Sequence, residues 1–115
     1  MFERNNIELL TDIIESISKI KKYVAGLTFE EFLNDEKTID AVVRNFEIIG
    51  EAANRLEKEF TKKYPYLNWK RIIGLRHRII HEYFGIDYQV IWNIINNNLE
   101  TFKIQTEEII QIFPQ

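Results

Sequence analysis

Apolar residues recur along most of this chain at the spacing of a helix face. Ile7, Leu10, Ile13, Ile14, Ile17, Ile20 and Val24 form the first stripe, and Gly26 supplies a stop. Thr28-x-x-Glu31 then has the form of a capping box, with Leu27 and Phe32 placed as a hydrophobic staple, so a short helix is expected there. A fresh start at Asn34 or Asp35 opens a longer stripe through Ile39, Val42, Val43, Phe46, Ile49, Ala53, Leu56 and Phe60. This second long helix is expected to reach Lys63, because Pro65 disfavours helical backbone at Tyr64. Asn68 can cap a third, predicted from Trp69 to about Phe84 with a stop near Gly85. Asp87 caps a fourth, carried by Ile91, Ile94, Ile95, Leu99, Phe102, Ile109, Ile110 and Phe113 as far as Pro114. No segment alternates with period two for long enough to predict a strand.

Four long amphipathic helices with short connections predict an all-α fold, an up-and-down antiparallel four-helix bundle with a short extra helix. Residues 1–115 make one domain's length. Such a chain closes one core with little surplus, so burial in a homodimer would help it. Gly50 and Gly74 fall inside predicted helices, where glycine costs about 1 kcal/mol relative to alanine. Either these positions tolerate that cost, or close helix contact offsets it.

Composition narrows the classes. Hydrophobic residues make up 45% and charged residues 29%, with 4 Gly and 2 Pro, a balance that fits a packed helical protein. The absence of cysteine excludes disulfides, thiol nucleophiles, iron–sulfur clusters and cysteine-bound zinc. Met1-Phe2-Glu3-Arg4-Asn5-Asn6 lacks the basic-then-apolar pattern of a signal peptide. No apolar run nears the roughly 20 residues needed to cross a bilayer, so a cytoplasmic protein without membrane association is expected. The net charge of −3 is unevenly spread. Thr61 to His81 holds six bases (Lys62, Lys63, Lys70, Arg71, Arg76 and Arg78) and no acid, which leaves the rest of the chain at −9. A basic island in an acidic protein is either a local anion site or a solvated basic face.

The candidate chemistry lies in that island. At about 100° per residue, a helix from Trp69 to Phe84 gathers Ile72, Ile73, Leu75, Ile79, Ile80 and Tyr83 on one broad face, with Arg76 in its middle. A guanidinium keeps its charge and is rarely buried without a partner. Arg76 therefore needs either an acid on the second long helix, such as Glu47 or Glu51, or a site that uses positive charge. The two histidines, His77 and His81, are four apart and would stack on one flank of the same helix. That spacing can hold a metal, but Arg76 and Arg78 would repel a cation and no third ligand is evident, so no metal and no cofactor are expected. Arginine beside histidine suits phosphoryl chemistry on RNA. The imidazole could take a proton from the ribose 2′-hydroxyl, and the guanidinium could stabilise charge on the attacked phosphate. The product would be a 2′,3′-cyclic phosphate, and DNA, lacking that hydroxyl, would not be a substrate.

The run Arg76-His77-Arg78-Ile79-Ile80-His81-Glu82-Tyr83 resembles the Arg-x4-His-x-Tyr motif of the HEPN superfamily. More narrowly, the chain is similar to HepT toxins paired with minimal, MNT-type nucleotidyltransferases. Phe32, Asp40-Ala41, Arg44, Ile48-Ile49-Gly50-Glu51-Ala52, Trp69, Gly85-Ile86-Asp87 and Val90-Ile91-Trp92 fit the same likeness, which covers almost the whole chain. The resemblance implies a dimer with its motifs near the subunit interface. It also implies an RNase toxin with Arg76 and His81 as the catalytic pair, and adenylylation of Tyr83 by a cognate nucleotidyltransferase antitoxin. Many members have Asn directly after the motif arginine; here His77 stands in its place and can hydrogen-bond in its stead. Lys70, Arg71, Arg78 and Glu51 are expected in supporting or RNA-binding positions. On the predicted helix Tyr83 lies on the Arg76 side, so an attached AMP would compete with RNA by charge and by bulk. The alternatives are a non-catalytic nucleotide- or substrate-binding partner of the nucleotidyltransferase and a purely structural dimerisation bundle.

Overall fold

The structure, a computed structural model, describes residues 4–81 and 84–112. It is all-α apart from a two-stranded hairpin of two residues a side. Helix α1 (Asn6–Val24) opens on a capping box between Asn5 and Glu8 and closes before Gly26, whose φ of 78° is left-handed. The capping box at Thr28 and Glu31 starts α2 (Phe29–Leu33), and Asp35 caps α3 (Glu36–Arg55). After these come α4 (Lys58–Lys62), α5 (Trp69–Ile73), α6 (Leu75–Ile79), β1 (Ile80–His81), β2 (Gly85–Ile86), α7 (Tyr88–Asn97) and α8 (Leu99–Ile112). Asn68 and Asp87 cap α5 and α7 as expected.

The core runs along the packed pair α1 and α3, with α5 and α6 against α3 and α8 against α1. Leu10, Ile13, Ile17 and Ile20 of α1 and Val42, Phe46 and Ile49 of α3 are all but sealed from solvent. Trp92 of α7 stacks obliquely on Phe29 and Phe32, which ties α2 to the bundle. An ion pair from Lys21 to Glu100 joins α1 to α8 at the surface. Gly50 earns its place, because a Cβ there would lie 3.3 Å from the carbonyl oxygen of Ile73 and 3.4 Å from that of Ile72. A side chain at position 50 would therefore press on the backbone of α5.

Three predicted helices are interrupted. The second ends at Arg55, where Leu56 is extended (ψ 141°) and the backbone N–H of Glu57, freed by the break, donates to Asn6 Oδ1 at 3.2 Å. The turn brings both Leu56 and Phe60 into the core. The fourth bends at Asn98, although hydrogen bonds from Asn98 N to Ile94 O and from Phe102 N to Asn98 O keep helical spacing across the bend. The third bends at Gly74 (φ −82°, ψ 7°), again with helical bonds on either side, so Gly74 marks a joint and not a helix interior. It ends at Ile79, well before Phe84, because Ile80 is extended (φ −109°, ψ 116°) and begins the hairpin. Counting each bent pair as one helix recovers the predicted four-helix bundle, with α2 as the expected short extra helix and α4 as a second one split off where Leu56 breaks the second long helix. Among the described residues no helix is long and apolar enough to cross a membrane.

Candidate functional site

The site forms where α6 gives way to the hairpin. Ile80 pairs with Ile86 and His81 with Gly85, and the left-handed φ of 76° at Gly85 lets the chain reverse. Asp87 then closes the loop through three bonds. Its backbone N–H donates to Ile79 O, the last carbonyl of α6, at 2.6 Å. Its Oδ1 accepts from Val90 N at 3.1 Å, capping α7. Its Oδ2 lies 3.2 Å from His81 Nε2. The hydrogen bonds from Val90 and then from His81 hold the Asp87 carboxyl below the usual carboxylate range. A carboxylate only accepts, so this contact places a hydrogen on His81 Nε2 and leaves Nδ1 as the nitrogen with a free lone pair. His81 is 46% exposed and open to a ligand.

This arrangement corrects the helical-wheel placement. His81 lies beyond the helix, so it does not stack on His77 at one-turn spacing. Arg76 does not sit in the middle of a buried face either, since its side chain is 58% exposed. The joint at Gly74 and the early end at Ile79 reduce the buried face of α6 to Leu75 and Ile79. Of the two acids considered for Arg76, Glu47 is the partner, with Arg76 Nε 3.7 Å from its Oε2. An exposed pair at that distance contributes little stability and leaves the guanidinium able to exchange partners.

The other candidate residues divide by location. Arg71 and Arg78 line a pocket between the α5–α6 segment and the α7–α8 junction. Lys70 borders a shallower depression beside Tyr66 and Pro65. His77 and Glu51 are exposed, with no side-chain partner among the described residues. Tyr83 lies outside the described residues. Among those described, no cluster of three His, Cys, Asp or Glu could hold a metal ion. Asp87 is the site residue that sequence reasoning assigned only a capping role. The signal for its second role was Gly85, a reversal point that brings positions 81 and 87 together.

Residues 13–109 match the ribonuclease HepT-like family, and this chain belongs to that family, whose helical HEPN-type fold it shares. Among its relatives is a protein of Methanocaldococcus jannaschii named "Putative RNase MJ0127", 44% identical over 89% of this chain and 84% of the relative. Another, from Thermococcus cleftensis, is named "Probable ribonuclease HepT" and is 35% identical over 93% of this chain and 97% of the relative. No solved structure matches the chain.

Proposed function

We propose that this protein is a metal-independent endoribonuclease, the toxin of a toxin–antitoxin pair. The observation that carries the reading is His81 held by Asp87 through Nε2 in a chain of a ribonuclease family. His81 Nδ1 takes the proton of a ribose 2′-hydroxyl. The 2′-oxygen attacks the adjacent phosphorus, the P–O5′ bond breaks, and the 5′-oxygen leaves with a proton from solvent. A 2′,3′-cyclic phosphate and a 5′-hydroxyl result. Arg76 exchanges its loose pair with Glu47 for a phosphate oxygen and offsets the charge gathered there in the transition state. Asp87 keeps the imidazole in the productive tautomer and faces the imidazolium that forms.

The test is cleavage of RNA and of matched DNA by purified protein in excess chelator. RNA is cut and DNA is not. A requirement for added divalent ion, or equal cleavage of DNA, overturns the mechanism. RNA binding without cleavage points to the non-catalytic partner instead.

Two further parts of the reading concern partners. The protein works as a homodimer with the motif near the interface, a reading supported by Phe84, which follows the motif and is 90% exposed. A strict monomer in light scattering at micromolar concentration overturns it. A nucleotidyltransferase antitoxin silences the enzyme by transferring AMP to Tyr83, a reading supported by the family resemblance and the position of Tyr83 two residues past His81. Intact mass after incubation with ATP, magnesium and the partner gains an AMP increment in wild type. An equal gain in Tyr83→Phe removes Tyr83 from the scheme.

A further inference from the structure

We infer that the pocket between the α5–α6 segment and the α7–α8 junction is a binding subsite for one nucleotide, its phosphate held by Arg71 and Arg78 and its base by the apolar wall behind them. The pocket has a volume of about 310 Å³, at the small end of the range that small-molecule sites occupy. Both arginines line it, and no acidic residue does. Neither arginine has an ion-pair partner among the described residues. Arg78 is half-buried, and its burial and then the nearness of Arg71 both work against its charge. Guanidinium keeps its proton all the same, so two like charges face this pocket, and a bound anion would offset their repulsion.

The rest of the lining specifies more than a bare anion. Leu75, Ile94 and Phe102 form an apolar wall, and Phe102 is itself held edge-on by Trp69. A flat aromatic ring of the ligand can stack there. Asn97, Asn98 and Gln105 stand around the same space with amide donors and acceptors that match a base edge. Phosphate, flat ring and polar edge together describe a nucleotide. The pocket is distinct from the cleaving groups, because neither Arg76 nor His81 lines it and Arg76 pairs with Glu47 instead. Resting on the ribonuclease reading above, the occupant is a nucleotide of the RNA flanking the one cut at His81. A free mononucleotide shares that chemistry, and the experiment separates the two.

Binding of 5′-AMP, of inorganic phosphate and of a short 2′-fluoro RNA that cannot be cleaved is measured by calorimetry. The proteins are wild type, Arg71→Gln, the double variant Arg71→Gln/Arg78→Gln, and His81→Ala. In parallel, amide resonances of the wild type are followed on adding 5′-AMP. The expected result is at least a tenfold weaker affinity of the double variant for both 5′-AMP and the RNA. A melting midpoint no lower than that of wild type, a smaller loss in Arg71→Gln and near-normal binding of 5′-AMP by His81→Ala should accompany it. Resonances of Asn97, Asn98 and Gln105 should shift. Inorganic phosphate binding as tightly as 5′-AMP overturns the base-binding half. Loss of 5′-AMP binding with RNA affinity intact overturns the substrate assignment in favour of a free nucleotide. Unchanged affinities in a folded double variant, or shifts confined elsewhere, overturn the site. If wild type binds as expected but never cleaves natural RNA, the subsite stands and the ribonuclease reading falls.

Discussion

The pair α1 and α3 and the segment from α5 to the start of α7 are built on opposite terms. The former are helices of 19 and 20 residues, each started by a side-chain cap and each burying a continuous stripe. The latter comprises two five-residue helices, a bend and a hairpin of two residues a side, and it leaves Arg76, His77 and His81 in solvent. Long regular helices bury enough apolar surface to be stable by packing alone. Among its described residues the motif segment buries only Trp69, Leu75 and Ile79 fully, and it relies also on Gly50, which admits its backbone against α3, and on Asp87, which ties its end to α7. The contrast separates a platform that supplies stability from a surface that supplies reactive groups.

The sharpest way to break that separation is a pair of substitutions. His81→Ala should lower the rate of RNA cleavage by roughly 10²–10⁴-fold, the usual worth of a positioned general base. Its unfolding free energy should stay within about 0.5 kcal/mol of wild type, as for other surface changes. Phe46→Ala should do the reverse, costing about 3–5 kcal/mol in denaturant unfolding because Phe46 is almost fully buried. Cleavage by the fraction still folded should continue. A His81→Ala protein that loses stability on the Phe46→Ala scale would show that the motif belongs to the core.

Gly50→Ala probes the joint between the regions and should have the next largest effect. The added methyl meets backbone carbonyl oxygens of Ile72 and Ile73 and not a flexible side chain, so α5 must move. Overpacking costs about 1–3 kcal/mol elsewhere and alanine's helix propensity offsets about 1 kcal/mol of it, so a net cost of up to about 2 kcal/mol is expected. Activity should fall as well, since α5 carries the Arg71 side of the pocket and leads into Arg76. A neutral outcome in both assays would mean that α5 shifts freely and that glycine is not needed.

What the sequence made legible follows the same division. Thr28 with Glu31, Asp35, Asn68 and Asp87 are local caps whose chemistry is complete within four residues, and each starts the helix expected of it. The stripes on α1 and α3 are local in the same sense. The break at Leu56 was not legible, because no Gly or Pro marks it; the freed N–H of Glu57 is received by Asn6, fifty-one positions before it. The end of α6 at Ile79 was hidden for a like reason. Its last carbonyl is taken by Asp87 N across the hairpin, while the apolar spacing through Ile80 and Tyr83 still reads as helix. The Arg76–Glu47 pair was visible because the long helix puts an acid within reach. The His81–Asp87 contact was not, because a continuous helix would have carried His81 away from Asp87.

Asp87→Asn has the smallest expected effect on stability and is the most specific test, because asparagine caps helices as well as aspartate does and should leave α7 in place. With its Oδ1 still taken by Val90 N–H, asparagine presents an amide NH2 to His81, which must then accept through Nε2 and carry its hydrogen on Nδ1. The kcat for RNA cleavage should fall by at least about tenfold with KM unchanged, since the tautomer is reversed behind the base and nothing changes at the substrate. Stability supplies an independent readout with a definite sign. The folded protein holds the Asp87 carboxyl below its ordinary value, so its contribution is present above the unfolded carboxylate pKa of about 3.9. That contribution is lost as pH falls through the lower folded value. Wild type should therefore lose a component of stability on acidification below roughly pH 4 that Asp87→Asn lacks. Between pH 5 and 8 the gap between the two proteins should stay constant. Identical acid profiles, together with wild-type kcat, would show that the 3.2 Å contact to His81 holds neither the fold nor the base.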